Sequence, residues 1–132
     1  MTWADLKITP QVVRDLEPNY SEGKSDSELE DNGRDTAKTF MQEDLKEKLH
    51  LDKDYLNPVT KASLDDYTTE YEERLREALT YKQLEIELGG IVNCDIDRVV
   101  WYANKYNQIH KNFGNMQLDT PTTTEQSIRI MR

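Results

Sequence analysis

The fold is decided by residues 75–113, which read LREALTYKQLEIELGGIVNCDIDRVVWYANKYNQIHKNF. This stretch holds most of the aromatic and aliphatic residues of the C-terminal half and few side chains of a reactive kind. Its apolar residues recur at three- and four-residue intervals on both sides of Gly89 and Gly90, which is the period of a helix face. Because glycine commonly ends a helix, the stretch predicts two successive amphipathic helices.

Each of the two helices has an expected inner face. The first helix is expected to begin near Ser63 or Thr69 and to be central, since apolar residues occupy two of its sides. These residues are Tyr67, Tyr71, Leu75, Ala78, Leu79 and Ile86 on one side, and Tyr81, Leu84 and Leu88 on the other. The last helix, capped by Asn93 or Asp95, is expected to bury Ile96, Val99, Val100, Ala103, Tyr106, His110 and Phe113.

Two further helices are predicted upstream of this pair. Thr9 and Pro10 form a typical helix start, because proline has no backbone N–H and its φ is already helical. Pro18 is expected to end this short helix and to open a polar loop. Ser25 and Glu28 have the spacing of a capping box, which predicts a helix over about residues 26–50. Gly33 lies inside it and indicates either a bend or the close approach of another backbone.

Length and composition point to one all-α domain. A chain of 132 residues with 36% hydrophobic and 33% charged residues suits a thin core built from amphipathic helices. We therefore expect a small bundle of about four helices over residues 1–119. Residues 120–132 are mostly polar, with Ile128 and Ile130 alternating with polar side chains near the end. They are expected to form an extended C-terminal docking arm. The arm is predicted to be disordered or paired with another chain.

Side chains outside the expected core are candidates for a protein interface. Aromatic residues are enriched in interface cores, so Trp101 and Tyr102 qualify, although a bundle with helices on both sides of the last helix would bury them instead. The full set of interface candidates is Trp101, Tyr102, Lys105, Ile128, Arg129, Ile130 and Arg132.

The net charge of −9 is unevenly distributed. Residues 1–66 carry 16 acidic and 9 basic side chains, whereas the remainder is nearly balanced. Such a chain is poorly suited to wrapping nucleic acid non-specifically, because that binding depends on lysine and arginine displacing counterions from phosphates.

The chain lacks the signs of an exported or membrane protein. Cys94 is the single cysteine, so an intrachain disulfide is impossible and a reducing compartment is expected. The start MTWADLKITP is not a signal peptide, and no apolar run approaches the 18 residues of a membrane span. We expect a soluble intracellular protein without membrane contact.

Candidate catalytic and metal-binding patterns are incomplete. Glu47 and His50 have the Glu-x-x-His spacing of a metal half-site, but no second pair occurs. Asp52 and Asp54 begin like a calcium loop that then lacks its glycine. Sixteen residues of helix would separate Cys94 from His110 by about 24 Å. We therefore expect a non-enzymatic protein without a metal or cofactor.

The order of predicted helices and polar tail resembles that in the head-tail connector (adaptor) proteins of tailed bacteriophages. The resemblance rests on SELEDNGRDTAKTFMQEDLKEKLHL, LREALTYKQLEIEL and WYANKYNQIHKNFGNMQLDT, within about residues 25–120. It implies a structural virion protein that forms a ring, commonly of twelve subunits, in the neck of the particle after synthesis in the host cytoplasm. Its partners would be the portal protein, other copies of itself and a tail or stopper protein, with DNA only passing through the channel.

The resemblance also suggests a role for the acidic half. A negatively charged channel wall repels DNA and so avoids trapping it in transit. The candidates for that wall are Asp26, Glu28, Glu30, Asp31 and Asp35.

Two other functions stay open from the sequence. A small acidic regulator could inhibit a nucleic-acid enzyme by imitating the charge of DNA, and its binding would weaken steeply with salt. A metal-dependent helical enzyme would depend on His50.

Overall fold

A helical hairpin forms the centre of the molecule. In the computed structural model, which describes residues 1–47, 50–51, 58–59, 63–116 and 118, helix α5 (Glu72–Gly89) packs along helix α6 (Ile96–His110). Helix α4 (Arg34–Glu47) packs on another side of α5. The short helices are α1 (Pro10–Leu16), α2 (Pro18–Ser21) and α3 (Asp26–Asp31), with 3₁₀ turns at Trp3–Leu6, Leu64–Asp66, Thr69–Tyr71 and Phe113–Asn115.

The predicted all-α class is confirmed. In the part of the chain that the structure describes, strand pairing is limited to β1 (His50–Leu51) antiparallel to β2 (Pro58–Val59) and a bridge between Tyr67 and Leu118. The proposed arm at 120–132 lies outside the described residues, as do its candidates Ile128, Arg129, Ile130 and Arg132.

The hydrophobic core consists of two clusters on different sides of α5. The apolar residues on two sides of this helix predicted that arrangement. The first cluster joins α4, α5 and the end of α6, and includes Leu75, Leu79 and Leu118. The second joins α1, α3 and the start of α6, and includes Leu84, Leu88 and Tyr102. Because α5 contributes to both clusters, it is the element that the two halves of the core share.

The prediction of one helix over residues 26–50 is wrong. The Ser25–Glu28 capping box does start a helix, but α3 stops at Asp31 and α4 begins at Arg34. Gly33 between them has φ +77°, a left-handed conformation that breaks the helical path. The break turns the end of α3 toward α5, where the Gln83 side-chain amide donates to the carbonyls of Leu29, Glu30 and Asn32 at 3.4, 2.9 and 2.7 Å.

The predicted polar loop after Pro18 is also partly wrong. Pro18 begins α2, which runs to Ser21, because proline suits the first position of a new helix as well as the end of an old one. The predicted start of α1 after Thr9 is confirmed.

Helix α6 is rotated by about a quarter turn from the predicted orientation. The Asp95 carboxylate caps it, accepting from the backbone N–H groups of Asp97 and Arg98. The residues that face the core are Tyr102, Tyr106 and Ile109, followed by Phe113, whereas Ile96 and Val100 are exposed. The buried set has the same three- and four-residue spacing but contains larger side chains, so this rotation removes more apolar area from water.

Candidate protein-interaction surface

The rotation of α6 leaves an apolar surface uncovered. Four residues in the turn before α6 and along its outer side form what we call the apolar stripe: Ile91, Val92, Ile96 and Val100, which are 46%, 85%, 68% and 48% exposed. Ile96 and Val100 lie one turn apart on the same helix face. Single exposed aliphatic residues are ordinary, but contiguous exposed apolar surface marks sites that bind another molecule, so these four residues are candidates for such a site.

The two aromatic interface candidates, Trp101 and Tyr102, differ in their exposure. Tyr102 is 0% exposed in the second core cluster, so the interpretation of Tyr102 as an interface residue is corrected: its ring packs within its own chain. Trp101 lies at the surface and its ring meets Tyr102 edge to face, with centroids 5.0 Å apart. Lys105 Nζ lies 5.2 Å from the centroid of the Trp101 ring, within the range of a cation–π contact.

Arg98 links α6 to the junction of α1 and α2. Its guanidinium donates to both Glu17 carboxylate oxygens, at 2.7 and 3.4 Å, and to the Leu16 carbonyl at 3.2 Å. It also donates to the Tyr102 hydroxyl at 3.1 Å. Burial, with the nearby Glu17 charge, raises the pKa of Tyr102 to about 12, so this phenol stays protonated. No local pattern in the sequence indicated this network, because Arg98 and Glu17 are far apart along the chain.

A groove runs between α1 and the N-terminal half of α5. It has a volume of about 340 Å³ and we call it the α1/α5 groove. Its lining residues are Thr9, Val12, Leu16, Glu73, Arg76, Glu77, Thr80 and Tyr81. The Tyr81 ring meets Trp101 edge to face at 6.1 Å, which extends the aromatic surface from α5 toward α6.

The five acidic candidates do not form one free patch. Asp26, Glu28, Asp31 and Asp35 are exposed and Glu30 is half-buried, on α3 and the first turn of α4. Asp26 pairs with Arg14 and Glu28 closes the capping box on Ser25. These two carboxylates therefore have local structural roles, whereas Asp31 and Asp35 contribute exposed negative charge.

Some of the candidate catalytic and metal-binding residues lie outside the described part of the chain, and Cys94 and His110 are not brought together. No group of three or more histidine, cysteine, aspartate or glutamate side chains among them is arranged to hold a metal. The His50 side chain, Asp52 and Asp54 lie outside the described part. Cys94 precedes the cap of α6 and His110 is its last residue, so the two are at opposite ends of that helix.

A polar contact inside the first cluster ties α4 to α6. The Tyr106 hydroxyl donates to Asp44, and His110 Nε2 lies 3.8 Å from the other Asp44 carboxylate oxygen. Burial is the main cause of a raised Tyr106 pKa, and the bond to Asp44 adds to it. Tyr106 is therefore a hydrogen-bond donor with a structural role.

Removing that hydroxyl should destabilise the fold. Tyr106→Phe is expected to lower the free energy of unfolding by about 1–2 kcal/mol, because a bond to a charged, partly buried acceptor is lost. Tyr81→Phe is the matched control: its hydroxyl donates to the more exposed Glu77 at 3.2 Å, where water replaces the bond, and about 0.5 kcal/mol is expected. Urea unfolding followed by circular dichroism measures both, and equal effects would contradict the role given to Asp44.

Comparison with known protein families, with curated proteins and with solved structures gives no match. In the part of the chain that the structure describes, none of the helices combines the length and apolar character needed to cross a membrane.

Proposed function

We propose that the protein is a non-enzymatic assembly component, a head-tail connector that forms a ring between the portal and the tail of a phage. The apolar stripe is the observation that carries the proposal. A folded domain with an adequate core still presents Ile91, Val92, Ile96 and Val100 to water. Covering these side chains in a contact with another subunit would be favourable at about 25 cal/mol for each Å² removed from water.

The apolar stripe alone would contribute only a small free energy of association. Four aliphatic side chains yield only a few kcal/mol, which is comparable to the cost of association. Weak pairwise contacts suit a protein that stays separate until it meets a template, and a closed ring multiplies them because each subunit has two neighbours. This agrees with a free protein that is monomeric or weakly associated and that assembles on a portal.

Two further observations support the connector. The sequence over about residues 25–120, in which an acidic segment precedes the helices of the hairpin, resembles that of phage connectors. Asp31 and Asp35 are exposed on the side of the molecule formed by α3 and α4, where they are candidates to face a DNA channel. The proposed ring has about twelve subunits and contacts the portal on one side and a tail or stopper protein on the other.

The stripe gives a direct test. Ile96→Asp and Val92→Asp are expected to leave helix content and melting temperature near those of the unmodified protein, because both side chains are exposed in the free subunit. Both should abolish rings when the protein is expressed with the portal encoded nearest to it and imaged by electron microscopy.

Gln108→Glu is the matched control for that experiment. It adds the same charge to an exposed position of α6 about a quarter turn away from the stripe and two turns beyond Val100, and rings are expected to persist. Rings that survive Ile96→Asp, or the absence of rings from the unmodified protein and its portal, would refute the proposal.

A second candidate function is inhibition of a nucleic-acid enzyme by charge mimicry. The net charge of −9 and the exposed Asp31 and Asp35 favour it. Association driven by charge weakens steeply as salt increases, whereas association through the apolar stripe does not. Binding measured between low and high salt therefore distinguishes the two functions.

A further inference from the structure

The α1/α5 groove combines an apolar floor with an acidic rim. Val12 is exposed within it, Leu16 and Tyr81 are half-buried, and Trp101 adjoins Tyr81. On the rim the Glu73 side chain is 87% exposed and that of Glu77 is 43% exposed. A ligand that fits this surface is short, apolar on one side and basic on the other.

The arginines near the groove are already engaged. Arg76 donates to the Asp5 carbonyl at 2.6 Å and pairs with Glu72 and Glu73, while Arg74 pairs with Glu77. Arg76 is shared between Glu72 and Glu73, so residues 72–77 carry three glutamates against two arginines and one negative charge remains after this pairing.

The C-terminal segment of the chain has the complementary chemistry. Residues 126–132, QSIRIMR, contain two arginines and no acidic side chain, and Ile128 and Ile130 flank the first of those arginines. The segment is therefore both basic and apolar, within an otherwise acidic protein.

The position of Leu118, the last described residue, favours a groove on another subunit. Leu118 is buried in the first cluster beside Tyr67, with Leu75 and Leu79. At 100° per residue, Leu75 and Leu79 lie on the side of α5 opposite to Glu73, Glu77 and Thr80. Leu118 and the receiving groove thus lie on opposite sides of α5, an arrangement that is compatible with a head-to-tail contact between copies.

We propose that the α1/α5 groove binds residues 127–132 of a neighbouring copy of this chain. Ile128 and Ile130 contact Val12 and Tyr81, and Arg129 and Arg132 pair with Glu73 and Glu77. The inference deepens the proposed function and rests on it for the expectation that copies meet head to tail. It gives the ring a second, directional contact besides the apolar stripe.

A mixed-label experiment on the full chain tests the contact even if it is weak. One sample carries Cys94→Ser and Met131→Cys, with a nitroxide spin label on the introduced thiol and no isotope, and it is mixed with ¹⁵N-labelled unmodified protein. Signal loss in the ¹⁵N spectrum then reports contact between different molecules. We expect losses at the amides of Val12, Thr80 and Tyr81 and at the Trp101 indole, with little change along the apolar stripe.

Charge reversal tests the pairing. Glu73→Lys with Glu77→Lys in the ¹⁵N chain should weaken the association roughly fivefold. Adding Arg129→Glu and Arg132→Glu to the spin-labelled chain should restore it. Glu43→Lys with Glu47→Lys on α4 makes the same charge change at exposed positions away from the groove and should have little effect.

The alternative results overturn the inference. Signal loss at the stripe instead of the groove, loss only when label and isotope are in one molecule, or no loss at all would each exclude docking into a neighbour's groove. Rings that form with the portal despite such a result would leave the proposed function standing. Groove contacts without rings would support this inference and count against the connector.

Discussion

Gln83→Leu is expected to lower the free energy of unfolding by about 2–3 kcal/mol, although it replaces a polar side chain in the core by an apolar one of similar size. The Gln83 side chain is 2% exposed and its amide nitrogen is the donor to three carbonyls at the end of α3. Leucine would leave these carbonyls near a buried surface without that donor. Gln83 Oε1 has no partner among the described residues, so its removal offsets a little of the loss.

Thr80→Val is the matched control for Gln83→Leu. Thr80 is also buried on α5, but its hydroxyl donates at 2.8 Å to the Arg76 carbonyl within the same helix. That carbonyl keeps its helical partner, so we expect a loss below about 1 kcal/mol. Chemical denaturation of both variants gives the comparison. A Gln83→Leu protein within about 0.5 kcal/mol of the unmodified one would show that water replaces the amide at α3.

Gly33→Ala is expected to destabilise the protein by about 2–3 kcal/mol, and more than Gly23→Ala. Both glycines have φ +77°, so both alanines carry the cost of a left-handed conformation, about 1 kcal/mol. At Gly33 a Cβ would also lie 2.9 Å from Glu87 Cγ, whereas at Gly23 it would meet nothing within 4 Å. The Glu87 side chain is held by the Tyr20 hydroxyl at 2.9 Å, so moving it costs that bond as well.

A double-mutant cycle isolates the contact between the two sites. In a Glu87→Ala background the penalty of Gly33→Ala should fall to that of Gly23→Ala, because only the backbone cost remains. Thermal and urea unfolding of the variants measure the coupling. Equal penalties at Gly23 and Gly33 in the unmodified background would mean that Glu87 moves aside freely.

Local signals predicted the starts of α1, α3 and α6, but not those of α2 and α4. The Ser25–Glu28 capping box, the Thr9–Pro10 start and the Asp95 cap all depend on residues within one turn of each other, so the chain carries them irrespective of its surroundings. The sequence also predicted the two buried faces of α5, since a helix with apolar residues on two sides has to be covered on both.

The sequence did not predict which face of α6 is buried. Two overlapping sets of residues have helical spacing: one runs through Ile96 and Val100, and the other through Tyr102 and Tyr106. Helical spacing alone does not show which of the two sets is buried. The buried set is the one whose side chains fit the surfaces of α4 and α5. The apolar stripe, on which the proposed function depends, follows from that choice.

The sequence by itself determined the all-α class, the starts of α1, α3 and α6 and the central place of α5, because these follow from local spacing and capping. Only the tertiary structure decided the break at Gly33, the burial of Tyr102, the Arg98–Glu17 contact and the exposure of Ile96 and Val100. These features join residues distant in the chain, and their free energies depend on which surfaces meet. The pattern along one helix shows which side chains can be buried, but packing against the other helices selects those that are.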